Sequence, residues 1–282
     1  MKLLQKTLRK PAYFNGIGIH SGTDVSVACH PAPAGHGIVF VRTDLGGALV
    51  PALPGYIVES NRYTALKCAD ADIFTPEHLI AACVGLGIYN LRIEVTSREI
   101  PILDGSSTVF CDGFLEAGLV GQGSIDPLVI KQTIRISDQD KLIEVRPSSR
   151  RYFEYHLSYP HSFVGNQTVG FDLSEGDFVT HIAPARTYGF EAEVKALLEQ
   201  GLAKGGSLDN AVVIGDTDYL TPLRFECELA RHKVLDLIGD IGLLGRPIIG
   251  DIIAYKSGHA LTGKLVKHLL STAQDHGQDT NR

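Results

Sequence analysis

The chain has 282 residues, of which 44% are hydrophobic and 21% charged, and its formal net charge is −6 at pH 7. This is a normal globular balance, and the length suits one large or two ordinary domains with a sizeable core. The net negative charge argues against nucleic-acid binding. The chain contains no apolar run of about 18 residues, the length that predicts a membrane span. We therefore expect at most a peripheral contact with a membrane.

The cysteines and the N-terminus indicate the compartment. Five cysteines, an odd number, lie at positions 29, 68, 83, 111 and 227 and form no Cys-x-x-Cys pair. This usage is typical of reduced thiols, and a structural zinc site built from thiolates is not expected. The N-terminus, "MKLLQKTLRK", has no apolar segment of signal-peptide length. We therefore predict a cytoplasmic protein.

Strand patterns dominate the beginning of the chain. Alternating apolar residues predict half-buried strands in "GIGIHSG", "DVSVACHPA" and "GIVFVRTD". Residues 45–63 are rich in Gly, Pro and Ala, which predicts loops or an insertion.

Two helices are predicted in the first half. In "FTPEHLIAACVGLGI", Thr75 is a suitable N-cap and Pro76 suits the first helical position. Gly85 or Gly87 would end this helix. The strand "NLRIEV" follows, and "STVFCDGFLEAGL" predicts a second helix that closes at Gly118.

The second half repeats the order of strands and then helices. Residues 121–127, "GQGSIDP", are predicted to be a linker. Strands are predicted in "LVIKQTIRI", "DKLIEVRPS", "YFEYHLSYP", "QTVGFDL", "AVVIGD" and "PIIGDIIAY", and helices in "EAEVKALLEQGL", "RFECELARHKVLDLIGDIGLLG" and "SGHALTGKLVKHLLST". The repeated order predicts an α+β fold with two domains, at 1–122 and 127–272, followed by a polar tail at 273–282.

Glu77 and His78 are the first residues that could carry chemistry. They are adjacent in "PEHL", near the start of a predicted helix. An ordinary interpretation exists, because a glutamate in a first turn complements the helix dipole. Alone, the pair does not establish a site.

A second candidate is the helical stretch "RHKVLDLIGD". His232, Asp236 and Asp240 are spaced four residues apart and share one face of a helix. The same spacing brings two metal ligands together in the zinc-protease helix. Apolar neighbours indicate a mostly buried helix, although a solvated stripe or a simple His–Asp hydrogen bond remains open. Lys233 lies beside this row and would be a cation for a developing oxyanion.

The third candidate is His259, which follows a Ser-Gly turn in "YKSGHAL". Together the candidates are compatible with a catalytic zinc site, which uses three histidine or carboxylate ligands and leaves one position for water. His78, His232 and Asp236 would be the ligands. Glu77 would be the base for that water, and His259 the acid for a leaving group.

The motifs, in this order, resemble those of one family, the UDP-3-O-acyl-N-acetylglucosamine deacetylases, which are zinc amidases of bacterial lipid A synthesis. The resemblance runs from "QKTLRKPAYFNGIGIHSG" to "YKSGHALTGKLV". It includes "HPAPAGHGIVFVRTDL", "PEHLIAACVGLGIYNLRIEV", "EIPILDGSS", "PARTYGF", "GLAKGGSLDNAVVI" and "LRFECELARHKVLDLIGD". It covers nearly the whole chain, and the set of motifs is very specific.

The resemblance implies two similar α+β domains, each layering a β-sheet with helices, with the active site between them. It implies one catalytic Zn²⁺ held by His78, His232 and Asp236. The expected substrate is UDP-3-O-acyl-N-acetylglucosamine, deacetylated in the committed step of lipid A synthesis. Family members usually act as monomers, and we expect the same here.

The resemblance also implies roles for the residues around the metal. Glu77 would be the general base and His259 the general acid. Asp240 would support the charged form of His259, since a nearby carboxylate raises a histidine pKa. Lys233 and Thr187 would hold the oxyanion or the substrate.

Other residues would bind the rest of the substrate. Tyr188 stands where the family usually has Phe, which keeps an aromatic contact. Lys256 is expected to contact the diphosphate, and Tyr159 to stack on the uracil. The loop at 59–68 departs from the family pattern.

An insertion at about 188–215 would form a tunnel for the acyl chain. Val194 and Leu197 lie on the apolar side of its predicted helix, as a tunnel wall requires. Plain packing explains that apolar side equally well.

Two other functions remain open from the residues alone. Two histidines and a carboxylate are also the ligand set of Fe(II) oxygenases, although Glu77 and His259 favour hydrolysis. A non-catalytic metal-binding scaffold would need a fourth protein ligand to close the site, which Asp240 or His259 would supply.

Overall fold

The first half of the protein is built mainly from strands. The structure, a computed structural model, describes residues 2–60 and 62–278. Its strands here are β1 (Leu3–Leu8), β2 (Ala12–Ile17), β3 (Asp24–Pro31), β4 (Ile38–Arg42), β5 (Ala48–Pro51), β6 (Ile57–Val58), β7 (Ala65–Cys68), β8 (Ala71–Phe74), β9 (Leu91–Val95) and β10 (Leu119–Ile125). Its helices are α1 (Glu77–Leu86) and α2 (Thr108–Ala117).

A five-stranded sheet with the order β2-β3-β9-β4-β5 forms the centre of this half. The predicted alternation is present in β3, where Val25, Val27 and Cys29 are buried. Residues 45–63, predicted as loops or an insertion, in fact contribute β5, which pairs antiparallel with β4. The proline content suggested a loop, but β5 is an edge strand. At an edge, the missing N–H of Pro51 costs no hydrogen bond to a neighbouring strand.

The second half has more helix. Its strands are β11 (Leu128–Val129), β12 (Ile134–Asp138), β13 (Lys141–Arg146), β14 (Arg151–Ser158), β15 (Asn166–Asp172), β16 (Tyr188–Phe190), β17 (Val212–Ile214) and β18 (Ile248–Tyr255). Its helices are α3 (Phe178–His181), α4 (Glu191–Glu199), α5 (Glu228–Gly242) and α6 (His259–Gln278).

A second mixed sheet, with the order β12-β13-β18-β14-β15, supports these helices, and β11 also pairs with β18. The central strand β18 is buried along most of its length, which explains its nearly continuous apolar sequence. Sheets and helices are thus combined as the α+β prediction required, and that prediction is confirmed. In the part of the chain that the structure describes, no helix is long and apolar enough to cross a membrane.

The contact between α1 and α5 brings the two halves of the sequence together. A Cβ atom added at Gly239 on α5 would overlap the backbone carbonyl of Glu77 on α1. One added at Gly242 would lie 2.6 Å from side-chain carbons of Ile80 and Val84. The backbones therefore approach as closely as they do because both positions lack a side chain. This crossing places the start of α1 against the C-terminal half of α5.

The start of α1 differs from the prediction. Thr75 is not the N-cap; the helix is preceded by Pro76, which makes no side-chain capping bond. Thr75 instead has a φ of 57° and donates its backbone N–H to the Thr64 carbonyl at 3.0 Å. The Thr75 hydroxyl donates to Glu99 Oε1 at 3.4 Å and does not cap α1. The predicted end is confirmed, because Gly87 adopts the left-handed conformation with a φ of 74°.

The predicted linker is largely a strand. Leu119–Ile125 forms β10 and pairs antiparallel with β1. Gly121 and Gly123 are accommodated because the pairing is irregular and Gly123 has a φ of 83°. At the other end, α6 extends through residue 278, into the stretch predicted as a polar tail; residues 279–282 lie outside the described residues. The division into two domains stays a prediction.

Candidate metal centre

Three predicted metal ligands meet at the crossing of α1 and α5. His78 comes from α1, and His232 and Asp236 come from one face of α5. Asp236 Oδ1 lies 3.6 Å from His78 Nε2 and 3.3 Å from His232 Nε2. One ligand atom from each residue lies within 4.8 Å of the others, and all three residues are buried. The group has the donor types and the spacing that a zinc-like cation requires.

The Asp236 carboxylate shows why a cation fits at this point. Its Oδ2 accepts a hydrogen bond of 2.7 Å from Lys233 Nζ. Its Oδ1 is buried and has no hydrogen-bond partner among the described residues. An unpaired buried carboxylate oxygen is costly, whereas a metal ion bound between Oδ1 and the two imidazoles would satisfy it.

Both histidines direct Nε2 toward Asp236 Oδ1. His232 Nδ1 donates to the Ala185 carbonyl at 3.0 Å, so its proton lies on that nitrogen and Nε2 is free to bind a cation. Burial lowers the pKa of His232 to about 3, which keeps the imidazole neutral, the form that binds metals. The rings of His78 and His232 are edge to face, with centroids 4.9 Å apart.

Glu77 lies beside this cluster as a buried carboxylate. It is 3% exposed, and its Oε2 accepts from the Thr64 N–H at 3.3 Å. Burial raises the pKa of Glu77 to about 7, against the opposing effect of His259 and His78. A carboxylate with this pKa suits proton abstraction near neutral pH.

His259 begins α6 and is paired with Asp240. The His259 Nδ1 donates to Asp240 Oδ2 at 2.9 Å, and Nε2 lies 3.7 Å from Glu77 Oε1. Burial alone would lower the pKa of His259, but Asp240 and Glu77 raise it to about 9. The ring therefore carries a proton at neutral pH, with Nε2 directed toward Glu77 and the cluster.

Lys233 faces the cluster from α5. Its Nζ is bound to Asp236 and lies 5.5 Å from the centroid of the Tyr188 ring. Burial would lower the pKa of Lys233, but Asp236 raises it above its ordinary value. The side chain is thus a cation held at the edge of the site, with Tyr188 beside it.

Thr187 directly precedes β16, whose first residue, Tyr188, packs against Tyr159. Thr187 is held by backbone hydrogen bonds to Gly105 and Val212, both at 2.8 Å. The hydroxyl groups of Tyr188 and Tyr159 are 3.2 Å apart. Tyr188 and Tyr159 form an aromatic wall next to His232, whose ring centroid is 6.2 Å from that of Tyr188.

The remaining predicted residues lie away from the cluster. Lys256 pairs with the exposed Asp140 at 3.0 Å. Val194 and Leu197 are half-buried on α4, a helix that contains no fully buried residue. The apolar side of α4 is therefore only partly covered by this chain.

Thr64 is the residue that sequence reasoning missed. Its hydroxyl donates to Asp240 Oδ1 at 2.5 Å and lies 3.2 Å from His259 Nδ1. It precedes β7 in a stretch without a motif. No sequence signal could have identified it, because its partners Asp240 and His259 are far away in the chain.

Comparison with known proteins gives a consistent set of relatives. The model of a family described as UDP-3-O-acyl N-acetylglycosamine deacetylase matches residues 5–271. A protein of Myxococcus xanthus (strain DK1622), named UDP-3-O-acyl-N-acetylglucosamine deacetylase, is 43% identical over 271 residues, which cover 95% of this chain and 86% of the relative. Proteins with the same name from Campylobacter fetus subsp. fetus (strain 82-40) and Citrifermentans bemidjiense are each 40% identical, with coverage of 96% and 95% of this chain and 93% and 89% of the relatives.

Proposed function

This chain belongs to the UDP-3-O-acyl N-acetylglycosamine deacetylase family, and from that premise we propose that it hydrolyses the N-acetyl group of UDP-3-O-acyl-N-acetylglucosamine. The products would be acetate and the free 2-amino sugar, in the committed step of lipid A synthesis. We further propose that the reaction depends on zinc. Zinc dependence is supported by the buried Oδ1 of Asp236, which has no hydrogen-bond partner among the described residues and lies close to the Nε2 atoms of His78 and His232.

The three clustered residues would hold the metal and leave a position for water and substrate. When bound, zinc supplies Lewis acidity to the attacking water and to the amide carbonyl. Asp236 would contribute Oδ1, because Lys233 already occupies Oδ2. Lys233 has two further ammonium protons, which would stabilise negative charge on the carbonyl oxygen, together with Thr187.

Proton transfer would be divided between two neighbouring residues, whose Oε1 and Nε2 atoms lie 3.7 Å apart. Glu77 would take a proton from the attacking water, and His259 would give one to the departing nitrogen. The pKa of Glu77 is raised to about 7 and that of His259 to about 9. Between these values the base is deprotonated while the acid is protonated. Two groups whose pKa values are separated in this order can act as base and acid together.

The substrate would extend from the metal along the aromatic wall. We propose that Tyr188 and Tyr159 contact the sugar and the uracil, and that Lys256 contacts the diphosphate. The acyl chain would lie against Val194 and Leu197, whose partial exposure leaves apolar area for it. This arrangement is the one that the family resemblance implies for each residue.

A deacetylation assay tests the proposed function. The full chain is incubated with UDP-3-O-acyl-N-acetylglucosamine carrying acyl chains of several lengths, with chelator, and after zinc is restored. Acetate release should stop when metal is removed and return with one equivalent of zinc. Metal should also raise the melting temperature, because a ligand that binds only the folded state stabilises it. Acetate release that persists without metal would contradict zinc dependence, and activity that requires oxygen and a 2-oxo acid would indicate an oxygenase.

Lys256 offers a separate test of substrate binding. Replacing it by Ala should raise KM about 10-fold and leave kcat within about twofold. This is expected because the charge-assisted contact would be made equally in the ground state and the transition state. The Lys256–Asp140 pair should not oppose binding, because exposed ion pairs are weak. Asp140→Ala is therefore the control and should not raise KM. An unchanged KM for Lys256→Ala would remove Lys256 from the diphosphate site.

A further inference from the structure

Thr64 contacts both halves of the proposed acid–base machinery. Its backbone N–H donates to Glu77 Oε2 at 3.3 Å, and its hydroxyl donates to Asp240 Oδ1 at 2.5 Å. The same hydroxyl oxygen lies 3.2 Å from His259 Nδ1. Thr64 is 5% exposed, so water does not compete freely for these bonds.

The direction of each hydrogen bond follows from the number of protons available. His259 Nδ1 must carry a hydrogen, because it is bound to a carboxylate oxygen of Asp240 at 2.9 Å. A threonine hydroxyl has one proton and two lone pairs. Its proton goes to Asp240 Oδ1, and a lone pair faces the Nδ1–H of His259. Thr64, Asp240 and His259 thus form a closed ring of hydrogen bonds.

This ring determines the orientation of the Asp240 carboxylate. With Thr64 on Oδ1 and His259 on Oδ2, rotation of the carboxylate would break both bonds. Asp240 is 3% exposed, and among the described residues no other group is hydrogen-bonded to Oδ1. Removing the hydroxyl would therefore leave a buried, unpaired oxygen, a state that structures avoid by rearranging. His259 would lose its fixed direction toward Glu77.

The backbone of Thr64 is tied to the start of α1 as well. Its carbonyl accepts from the Thr75 N–H at 3.0 Å, two residues before Glu77. One residue thus holds the segment that leads to Glu77 through its backbone and the Asp240–His259 pair through its side chain.

We propose that Thr64 is a positioning residue that keeps Glu77 and His259 aligned with each other beside the substrate amide. This inference deepens the proposed function and rests on it, because it takes Glu77 as base and His259 as acid. Thr64 acts through these side chains and does not itself contact the reacting atoms.

Thr64→Val tests the hydroxyl by itself, since valine keeps the branched shape and both backbone bonds. With zinc-loaded full chain, kcat should fall about 10- to 100-fold, as is usual when a residue that orients a catalytic group is lost. KM should stay within about twofold. Thr64→Ser retains the hydroxyl and should recover kcat to within a few-fold of wild type.

A matched control separates positioning from general loss of packing. Thr7→Val removes another buried hydroxyl that makes two hydrogen bonds, to Asn90 and from Ala32, at 2.7 and 3.1 Å. It should leave kcat unchanged. If Thr64→Val keeps kcat within twofold of wild type, or if Thr64→Ser loses as much as Thr64→Val, the inference is wrong.

A double-mutant cycle tests whether the Thr64 hydroxyl acts through Asp240. Because the hydroxyl acts through Asp240, Thr64→Val should cause less than about a twofold further loss of kcat in an Asp240→Ala background. Losses that multiply would show that Thr64 acts independently of Asp240 and would overturn the proposal. If Thr64→Val does not fold, Thr64→Ala enters the same cycle. A wild-type protein without deacetylase activity would refute the proposed function, whereas an active wild type with an equally active Thr64→Val refutes the Thr64 role alone.

Discussion

Glu77→Gln should retain one bound zinc ion and lose most of its turnover, with kcat reduced about 100- to 10,000-fold, the range of general acid–base catalysis. Glutamine has nearly the same shape but cannot take a proton from water. The metal should remain, because His78, His232 and Asp236 are unchanged. The measurement is kcat for acetate release, together with zinc content of the purified variant.

A second buried carboxylate serves as the control for the Glu77 prediction. Glu144 is 2% exposed and is paired with Arg135 and Arg146 on the second sheet. Glu144→Gln should lower the melting temperature and leave kcat per zinc-loaded molecule near the wild-type value. If Glu77→Gln retained more than a tenth of wild-type kcat, Glu77 would not be the base. Loss of zinc from that variant would instead give Glu77 a role in holding the metal site.

His259→Ala should reduce kcat/KM about 100- to 1,000-fold and remove the basic limb of the pH profile. The protonated ring is the active form of a general acid, so wild-type activity should fall as pH rises through the His259 pKa, raised to about 9. On the acidic limb, activity changes with pH in the opposite direction. Activity should rise with pH through the pKa of Glu77, raised to about 7, because the deprotonated carboxylate is the active form of a base.

Asp240→Asn provides a finer test of the same limb. Asp240 is a carboxylate that raises the His259 pKa, so its neutralisation should move the basic limb to lower pH. His156→Ala is the control, because His156 pairs with Glu154 and stacks on Tyr255 outside the site.

An unchanged basic limb in His259→Ala would exclude His259 as the acid.

The family was predicted from motifs that occur in order along the chain, and the comparisons confirm it. The helices were predictable for a local reason. In α5 and α1 the apolar residues lie within a few residues of each other, and Gly87 ends α1 as predicted. The errors occurred where a distant partner decided the conformation. Thr75 does not cap α1 because its hydroxyl is bound to Glu99, and the glycine-rich stretch at 121–127 is mostly strand because it pairs with β1.

The proposed site shows the same division between what local sequence determines and what distant contacts determine. By itself, the sequence determined that His232, Asp236 and Asp240 share one helical face, because four-residue spacing has that consequence in any α-helix. It also determined that Glu77 and His78 are adjacent. Only the tertiary structure decided that these groups meet, because Gly239 and Gly242 allow α1 to approach α5 at backbone distance. The tertiary structure alone introduced Thr64, since a hydrogen bond between residues far apart in the chain depends on how the chain packs and leaves no pattern in the sequence.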